Sequence, residues 1–388
     1  MLLNGIRIID FSWVLAGPFA TRLLADFGAQ VIKIQPPMPE ETGVFNRGYY
    51  NNWNRNKLGI RLNLNKPEGI ELVKRLVQIS DVVIENFSPR VMENWGLDYP
   101  NLQKINPRII MVSLSLMGHS GPWKDYTGFG PSAQAFSGIT HLTTYPGKPP
   151  SGIGFSLSDH VAALYASLSI LGALEYRRST GQGQYIDISL TEAICTFLYD
   201  EILSYTLNGV APVPEGNSSS KYAPHGIYRC RGKDRWCAIA ITSEDEWQRF
   251  KQVLDYPAWA EDESFASMER RVQNRLVLDE FIQRWTSNLD AEYVMSLLQS
   301  RGIPAGVVQN AADLTDDPQL NSRDFFIRIE HPLLGENLSD ACPLKFLVSP
   351  AKYLRSAPDI GQDNDYVFHE LLGISGSELN RLKENNVI

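Results

Sequence analysis

Asp159 stands between a glycine-bearing approach, Gly152-Ile153-Gly154-Phe155-Ser156, and a nearly uncharged stretch running from His160 to Tyr176. A lone carboxylate at the start of an apolar helix has two physical uses. As an N-cap, its oxygen accepts a free amide of the first turn. As a nucleophile, a carboxylate that stays ionised yet is screened from water attacks an activated acyl group. Helix amides and dipole are expected to hold its pKa down in either case. The position suits both roles, and side-chain chemistry alone does not choose between them.

Other chemistries lack their residues. The six histidines (His119, His141, His160, His225, His331, His369) are isolated in sequence, and none has the spacing of a helical metal pair, so no metal is expected. His160 adjoins Asp159, but neighbours on a helix point about 100° apart and make poor hydrogen-bonding partners. No Gly-x-Ser-x-Gly elbow supports a serine triad. The stretch Gly128-Phe129-Gly130-Pro131-Ser132-Ala133 fits the dinucleotide expression in form. The polar run Lys124-Asp125-Tyr126-Thr127 precedes it where a strand is required. No P-loop occurs. Cys195, Cys230, Cys237 and Cys342 are too scattered for a disulfide framework or a zinc site, and read as buried thiols in a reducing compartment.

The elements around Asp159 alternate between strand and helix. Strand patterns cover 6–11, 31–34, 59–64, 81–85, 108–116 and 185–190; helical spacing covers 19–27 and 67–79, the latter opening on Pro67. Near-continuous apolar strands alternating with helices predict an α/β domain built on a parallel sheet covered on both faces. The apolar helix after Leu157 stops at Arg177, Arg178 and Gly181, and a further helix is expected over 191–207. Residues 210–224 are rich in Pro, Gly and Ser and mark a boundary. Beyond it, strands at 226–229 and 235–241, a capping-box start at Ser243-Glu244-Asp245-Glu246 and helices over 269–285 and 291–299 predict a smaller α+β domain. The expected organisation is a large domain over 1–210, completed by 325–388, and a small domain over 222–322.

A chain of 388 residues exceeds one compact core and suits two domains. With 43% hydrophobic and 21% charged residues it is neither disordered nor fibrous. The net charge of −8 disfavours a nucleic-acid partner but admits an anionic small ligand, which a few local donors suffice to hold. The start Met1-Leu2-Leu3-Asn4-Gly5 lacks the pattern of a signal peptide. The apolar run 161–174 is shorter than the ~20 residues of a membrane span. A cytoplasmic protein with no membrane partner is expected.

Motifs through most of the chain resemble one family. They run from Gly5-Ile6-Arg7-Ile8-Ile9-Asp10-Phe11 through Val14-Leu15-Ala16-Gly17-Pro18-Phe19 to Gly28-Ala29-Gln30-Val31-Ile32-Lys33-Ile34. Asn54-Arg55-Asn56-Lys57, Asp81-Val82-Val83-Ile84-Glu85-Asn86-Phe87, the Gly128 to Gly138 stretch and the Asp159 region continue the series. Thr180-Gly181-Gln182-Gly183-Gln184, Ala223-Pro224-His225-Gly226 and Gly302-Ile303-Pro304-Ala305-Gly306 complete it. In this order they resemble the class III CoA-transferases, the group of formyl-CoA and carnitine CoA-transferases.

The resemblance implies a large domain with a Rossmann-like parallel sheet, a smaller α+β domain, and an interlocked homodimer of ring-like subunits. It implies an acyl-CoA donor and a carboxylic acid acceptor, with the coenzyme A thioester as substrate and no tightly bound cofactor. Asp159 matches the family's catalytic aspartate. Val14, Leu15, Ala16, Leu62, Asn65, Asn86, Phe87, Gly128, Phe129 and Gly130 match its CoA-contacting segments. Pro36, Asn65 and Asn94 stand where members can carry basic residues that touch CoA phosphates, and Lys66 or Arg90 lies near enough to compensate. Gly216-Asn217-Ser218-Ser219-Ser220 is a loose counterpart of the glycine-run loop of formyl-CoA transferase, and Leu15 replaces a polar residue there, so formyl or oxalyl specificity does not carry over. The alternative within the same fold is an α-methylacyl-CoA racemase, which needs an acid–base pair. Phe129 occupies the place of its histidine, with His119 upstream. A CoA-binding protein without catalysis, keeping Asp159 only as a cap, is the reading from another class.

Overall fold

The computed structural model describes residues 1–37, 48–332 and 334–388. Six strands, β1 (Arg7–Asp10), β2 (Gln30–Gln35), β3 (Leu58–Arg61), β4 (Val82–Glu85), β5 (Ile110–Ser115) and β6 (Tyr185–Ser189), form one sheet in the order β3-β2-β1-β4-β5-β6. Every pairing is parallel. All residues of β4 and β5 are buried, as expected for strands covered on both faces, and this is why they read as unbroken apolar runs. The order reverses beside β1, so a crevice opens between the carboxyl ends of β1 and β4, where open parallel sheets bind ligands.

Alternating residues of each strand feed two cores. On one face Ile8, Val31, Val82, Ile110 and Val112 pack with helices Ala16–Asp26 and Leu157–Thr180. On the other, Ile9, Ile32, Val83 and Met111 pack with helix Pro67–Gln78 and with Val367, Phe368 and Leu382 near the C-terminus. Helix Leu157–Thr180 is, by length and composition, apolar enough to cross a membrane, and half of that window is buried. Val161, Ala162, Ala163, Ala166, Ile170 and Ala173 form its buried stripe, and a side chain such as Ile170 contributes roughly 1.5–3 kcal/mol. The helix closes at Gly181, with φ 77°, a left-handed cap that glycine adopts without Cβ strain.

Two helices differ from expectation. The stretch after β6 is two helices, Leu190–Cys195 and Tyr199–Asn208, joined by a tight turn at Thr196–Leu198. The 269–285 pattern breaks at Asn274 into Met268–Gln273 and Arg275–Thr286. Periodicity alone carries both patterns across these one-turn interruptions.

The chain divides into two compact units. The first comprises Met1–Ile139, Gly152–Gly209 and Gln319–Ile388; the second comprises Thr140–Ser151 and Val210–Pro318. In the second, an antiparallel sheet of β7 (His225–Arg229), β8 (Trp236–Ala240) and β9 (Ala305–Val307) covers a core that includes Trp247, Phe250, Leu278 and Val294. Ser243 caps helix Glu244–Val253 by accepting from the Glu246 amide, while the Glu246 carboxylate reaches back to the Thr242 amide at 2.7 Å. The reciprocal bond of a capping box thus falls one residue earlier than its usual place.

Candidate active site

A cavity of about 330 Å³ opens in the first unit at the carboxyl ends of β1, β4 and β5. Asp159 lines it with Val14, Leu15, Ala16, Asn86 and Phe87, and with Gly128, Phe129 and Gly130. A second cavity of about 240 Å³ is lined by Leu62, Asn65 and Trp95, and shares Trp13 and Phe87 with the first. The predicted site residues therefore fall into Asp159 with eight others lining its cavity and a pair, Leu62 and Asn65, in the neighbouring hollow. Leu15, Ala16 and Leu62 are buried, and expose little of themselves to either cavity.

Asp159 is not the N-cap. Helix Leu157–Thr180 starts two residues before it, with Ser156 at the cap. Ser156 makes no capping bond because its hydroxyl donates to Asp159 Oδ2 instead. The free Leu157 amide is taken by Gln134 Oε1 at 2.9 Å, and the Ser158 hydroxyl donates to the Gly130 carbonyl at 3.1 Å. These two bonds join the Asp159 helix to helix Gly130–Ser137. Gly130 itself lies directly against the carboxylate: a Cβ there would overlap Ser156 Oγ and Asp159 Oδ2.

The Asp159 pKa also departs from expectation, being raised above the ordinary carboxylate value. Burial dominates, and the Ser156 hydroxyl, the His160 charge and backbone amides, including that of Ala16, only partly offset it. Desolvation outweighs the helix-start donors because the group lies in a partly closed, largely apolar pocket.

The loop after β1 is clamped from below. Asp10 is fully buried and accepts the Ser12 amide at 2.8 Å and the Thr21 hydroxyl at 2.7 Å. Lys57 Nζ donates to Asp10 Oδ2 and to the Pro18 carbonyl, both at 3.0 Å. Lys33 Nζ reaches Asp10 Oδ1 at 3.2 Å and also bonds the Ser12 carbonyl. Burial alone would raise the Asp10 pKa, but Lys33 and Lys57 hold it well below the usual range. Burial in turn lowers Lys57 to about 7, against the pull of Asp10. Both ends of segment 12–18 are thus fixed while its middle is strained: Val14 has φ 62°, a left-handed conformation that a β-branched residue rarely adopts and that costs about 1–3 kcal/mol.

Above the loop, Asn86 Oδ1 accepts the Trp13 amide at 2.7 Å and Nδ2 donates to the Trp13 carbonyl at 2.8 Å. Its carboxamide is committed to holding Trp13. Glu85, buried at the end of β4, accepts the Phe87 amide at 2.7 Å. Its other oxygen lies 3.7 Å from His119 Nε2 and has no hydrogen-bond partner among the described residues. Burial pushes Glu85 up to about 7. Arg90, offered by sequence as a phosphate contact, pairs with Asp125 at 2.9 Å.

Sequence reasoning did not single out Ser156 as a partner of Asp159 or Tyr49 as a wall of the cavity. It also passed over the Asp10–Lys33–Lys57 cluster. A lysine inside the apolar strand Gln30–Gln35 was the available signal for the cluster, since a charge in a doubly covered strand requires a buried partner.

The chain matches the model of CoA-transferase family III over residues 3–364. It is 35% identical to a succinyl-CoA–D-citramalate CoA-transferase of Chloroflexus aurantiacus, over 100% of this chain and 98% of that protein. It is 33% identical to the succinyl-CoA–L-malate CoA-transferase alpha subunit of Chloroflexus aurantiacus, over 100% of this chain and 92% of the relative. The crystal structure of a CaiB/BaiF family protein from Brucella suis superimposes with a TM-score of 0.88 at 30% identity, covering 95% of this chain and 98% of that one.

Proposed function

The chain belongs to CoA-transferase family III, and on that premise we propose that it moves coenzyme A from an acyl-CoA thioester to a carboxylic acid by way of Asp159. The observation that carries the reading is the carboxylate on the cavity wall, backed by a glycine that leaves it room. Asp159 attacks the thioester carbonyl carbon; the C–S bond breaks, and an acyl–aspartyl anhydride and CoA thiolate result. The thiolate returns to the aspartyl carbonyl, releases the donor acid as its carboxylate and leaves an aspartyl-CoA thioester. The acceptor carboxylate then attacks that thioester, giving a second anhydride and thiolate. Attack of the thiolate on the new acyl carbonyl forms the product thioester and restores Asp159.

No net proton or external energy source is needed, because each step exchanges one activated acyl group for another. Water must be excluded, since hydrolysis of either anhydride defeats transfer. Val14, Leu15 and Ala16, together with Gly128, Phe129 and Gly130, line the pantetheine and thioester path in this reading. Leu62, Asn65, Asn86 and Phe87 border the nucleotide end. Backbone amides near Gly130 and the nucleophile helix stabilise the oxyanions. The relatives' names make succinyl-CoA the first donor to test, and hydroxylated dicarboxylic acids the first acceptors.

The racemase alternative needs a second proton carrier at the cavity. Phe129 has none to offer, and His119 faces Glu85 and is absent from the described wall of the Asp159 cavity. We also assign the enzyme to the cytoplasm as an interlocked homodimer, with a CoA-binding large domain and a separate small domain. The test of the reading is Asp159→Ala: transfer should fall at least about 10³-fold, with an unchanged melting curve. Retained turnover rejects the nucleophile.

A further inference from the structure

His160 follows the nucleophile, yet its ring points elsewhere. Nδ1 lies 2.7 Å from the Ser156 carbonyl oxygen. Because a carbonyl only accepts, Nδ1 carries the hydrogen and donates. The ring is held edge-on by three aromatic neighbours: Phe19 at 5.5 Å, Trp53 at 5.6 Å and Phe155 at 5.9 Å between centroids. Two of those rings are themselves fixed by the Arg22 guanidinium, 4.9 Å from Phe19 and 4.8 Å from Trp53. Arg22 is anchored through two 2.9 Å bonds to Asp340. Tyr49 meets the outer side of Trp53 at 6.0 Å.

The carbonyl that His160 holds belongs to the residue whose hydroxyl is on Asp159 Oδ2. Ser156 precedes the helix and has φ −86°, ψ 78°, so the helix ladder alone does not fix it. The side-chain tether on its carbonyl supplements the long 3.4 Å bond from the His160 backbone amide. The Ser156 hydroxyl already occupies the space beside Gly130 where a Cβ would stand, between that glycine and Asp159 Oδ2.

We propose that His160 is a positioning residue for the nucleophile: its Nδ1–H fixes the Ser156 carbonyl, which keeps the Ser156 hydroxyl on Asp159 Oδ2 and presents Oδ1 to the thioester. The inference rests on the reading of Asp159 as nucleophile. It follows that His160 acts through Ser156 rather than on substrate. Losing either residue loosens the carboxylate, a misplacement that lowers the rate of attack rather than binding of the acyl-CoA. The nearest charged and titratable groups, Arg22, Tyr49 and Asp159, stay in place when the ring is replaced by one of similar shape.

The test measures steady-state transfer from succinyl-CoA and the pH profile of kcat for His160→Phe, His160→Asn, Ser156→Ala and the His160→Phe/Ser156→Ala double variant. Phenylalanine keeps the ring packing and removes the donor; asparagine places an N–H near the position of Nδ1. H160F and S156A should each lower kcat about 10- to 50-fold with KM within about twofold, and the double variant should be no worse than the poorer single one. H160N should recover to within about threefold of the parent. The acidic limb of kcat should move to higher pH in S156A, which removes a hydroxyl that favours the Asp159 anion, and in H160F, which loosens that hydroxyl and removes the His160 charge as well.

Losses that multiply in the double variant, a rise in KM at constant kcat, or an unaffected H160F overturn the proposal. If H160F melts without cooperativity, H160N is compared with H160Q, whose amide mimics Nε2 instead; equal activity of that pair is likewise contrary. Turnover surviving in Asp159→Ala is a separate result, which removes the nucleophile and not merely its positioning.

Discussion

As the proposed nucleophile, Asp159 must be ionised to attack, and burial raises its pKa above the ordinary value. The protonated acid is therefore favoured at higher pH than in a free aspartate, whose pKa is near ~3.9. Activity should fall as pH drops through this raised value, so the acidic limb of kcat lies above the usual Asp range; a limb at or below ~3.9 contradicts the assignment. Gly130 gives a steric prediction. A methyl group at this position overlaps Ser156 and Asp159, so Gly130→Ala should cost at least about 100-fold in kcat through displacement of the carboxylate. Val14→Gly should do the reverse to stability: relief of the left-handed strain raises Tm, while a looser loop raises KM for acyl-CoA. Unchanged Tm together with unchanged KM would leave no role for the strain. At this scale the sequence offered Asp159 through its place at a helix start and its family motifs, and its carboxylate lies on the cavity wall. It did not disclose the register of the helix start, because Ser156 spends its hydroxyl on Asp159 rather than on an amide.

The carboxyl ends of the strands bring the pieces together. β1 delivers the clamped loop, β4 delivers Asn86 and Phe87, and the Asp159 helix lies on the sheet face beside them. Glu85 supplies a prediction for β4. Its folded pKa, about 7, stands above the ordinary 4.5. The favourable contribution of the protonated form is complete below the unfolded pKa and disappears as pH rises toward 7. Above that, the buried carboxylate costs about 3 kcal/mol. Glu85→Gln should therefore stabilise the protein at pH 8 and scarcely at pH 4, as read by denaturant melts; an equal effect at both pH values runs against it. The sheet was legible because its strands are unbroken apolar runs separated by amphipathic helices. The Asp10–Lys33–Lys57 cluster was not, since its members lie up to 47 residues apart in sequence, and only the fold makes them neighbours.

On the whole-molecule scale, the outer side of the Asp159 helix exposes Leu164, Leu168 and Leu171, at 54%, 66% and 43%, and helix Tyr199–Asn208 exposes Leu207 at 73%. Exposed apolar residues along one helix face favour burial against a partner, and the proposed homodimer supplies a second copy. Light scattering should give twice the 43.6 kDa chain mass, with Leu168→Glu lowering that mass or causing aggregation; a monomeric parent protein is the opposing result. Composition and the Pro/Gly/Ser break showed that more than one compact body was to be expected. They carried no sign that 140–151 sits with the second unit, because its own run Pro146-Gly147-Lys148-Pro149-Pro150 marks a loop without saying which unit that loop joins. The central claim concerns a covalent bond, and the most direct measurement is peptide mass spectrometry after brief incubation with acyl-CoA in the absence of acceptor. The account predicts a coenzyme A thioester on the peptide containing Asp159, discharged when the acceptor acid is added. Turnover without any such adduct, or an adduct mapped to another residue, would contradict it.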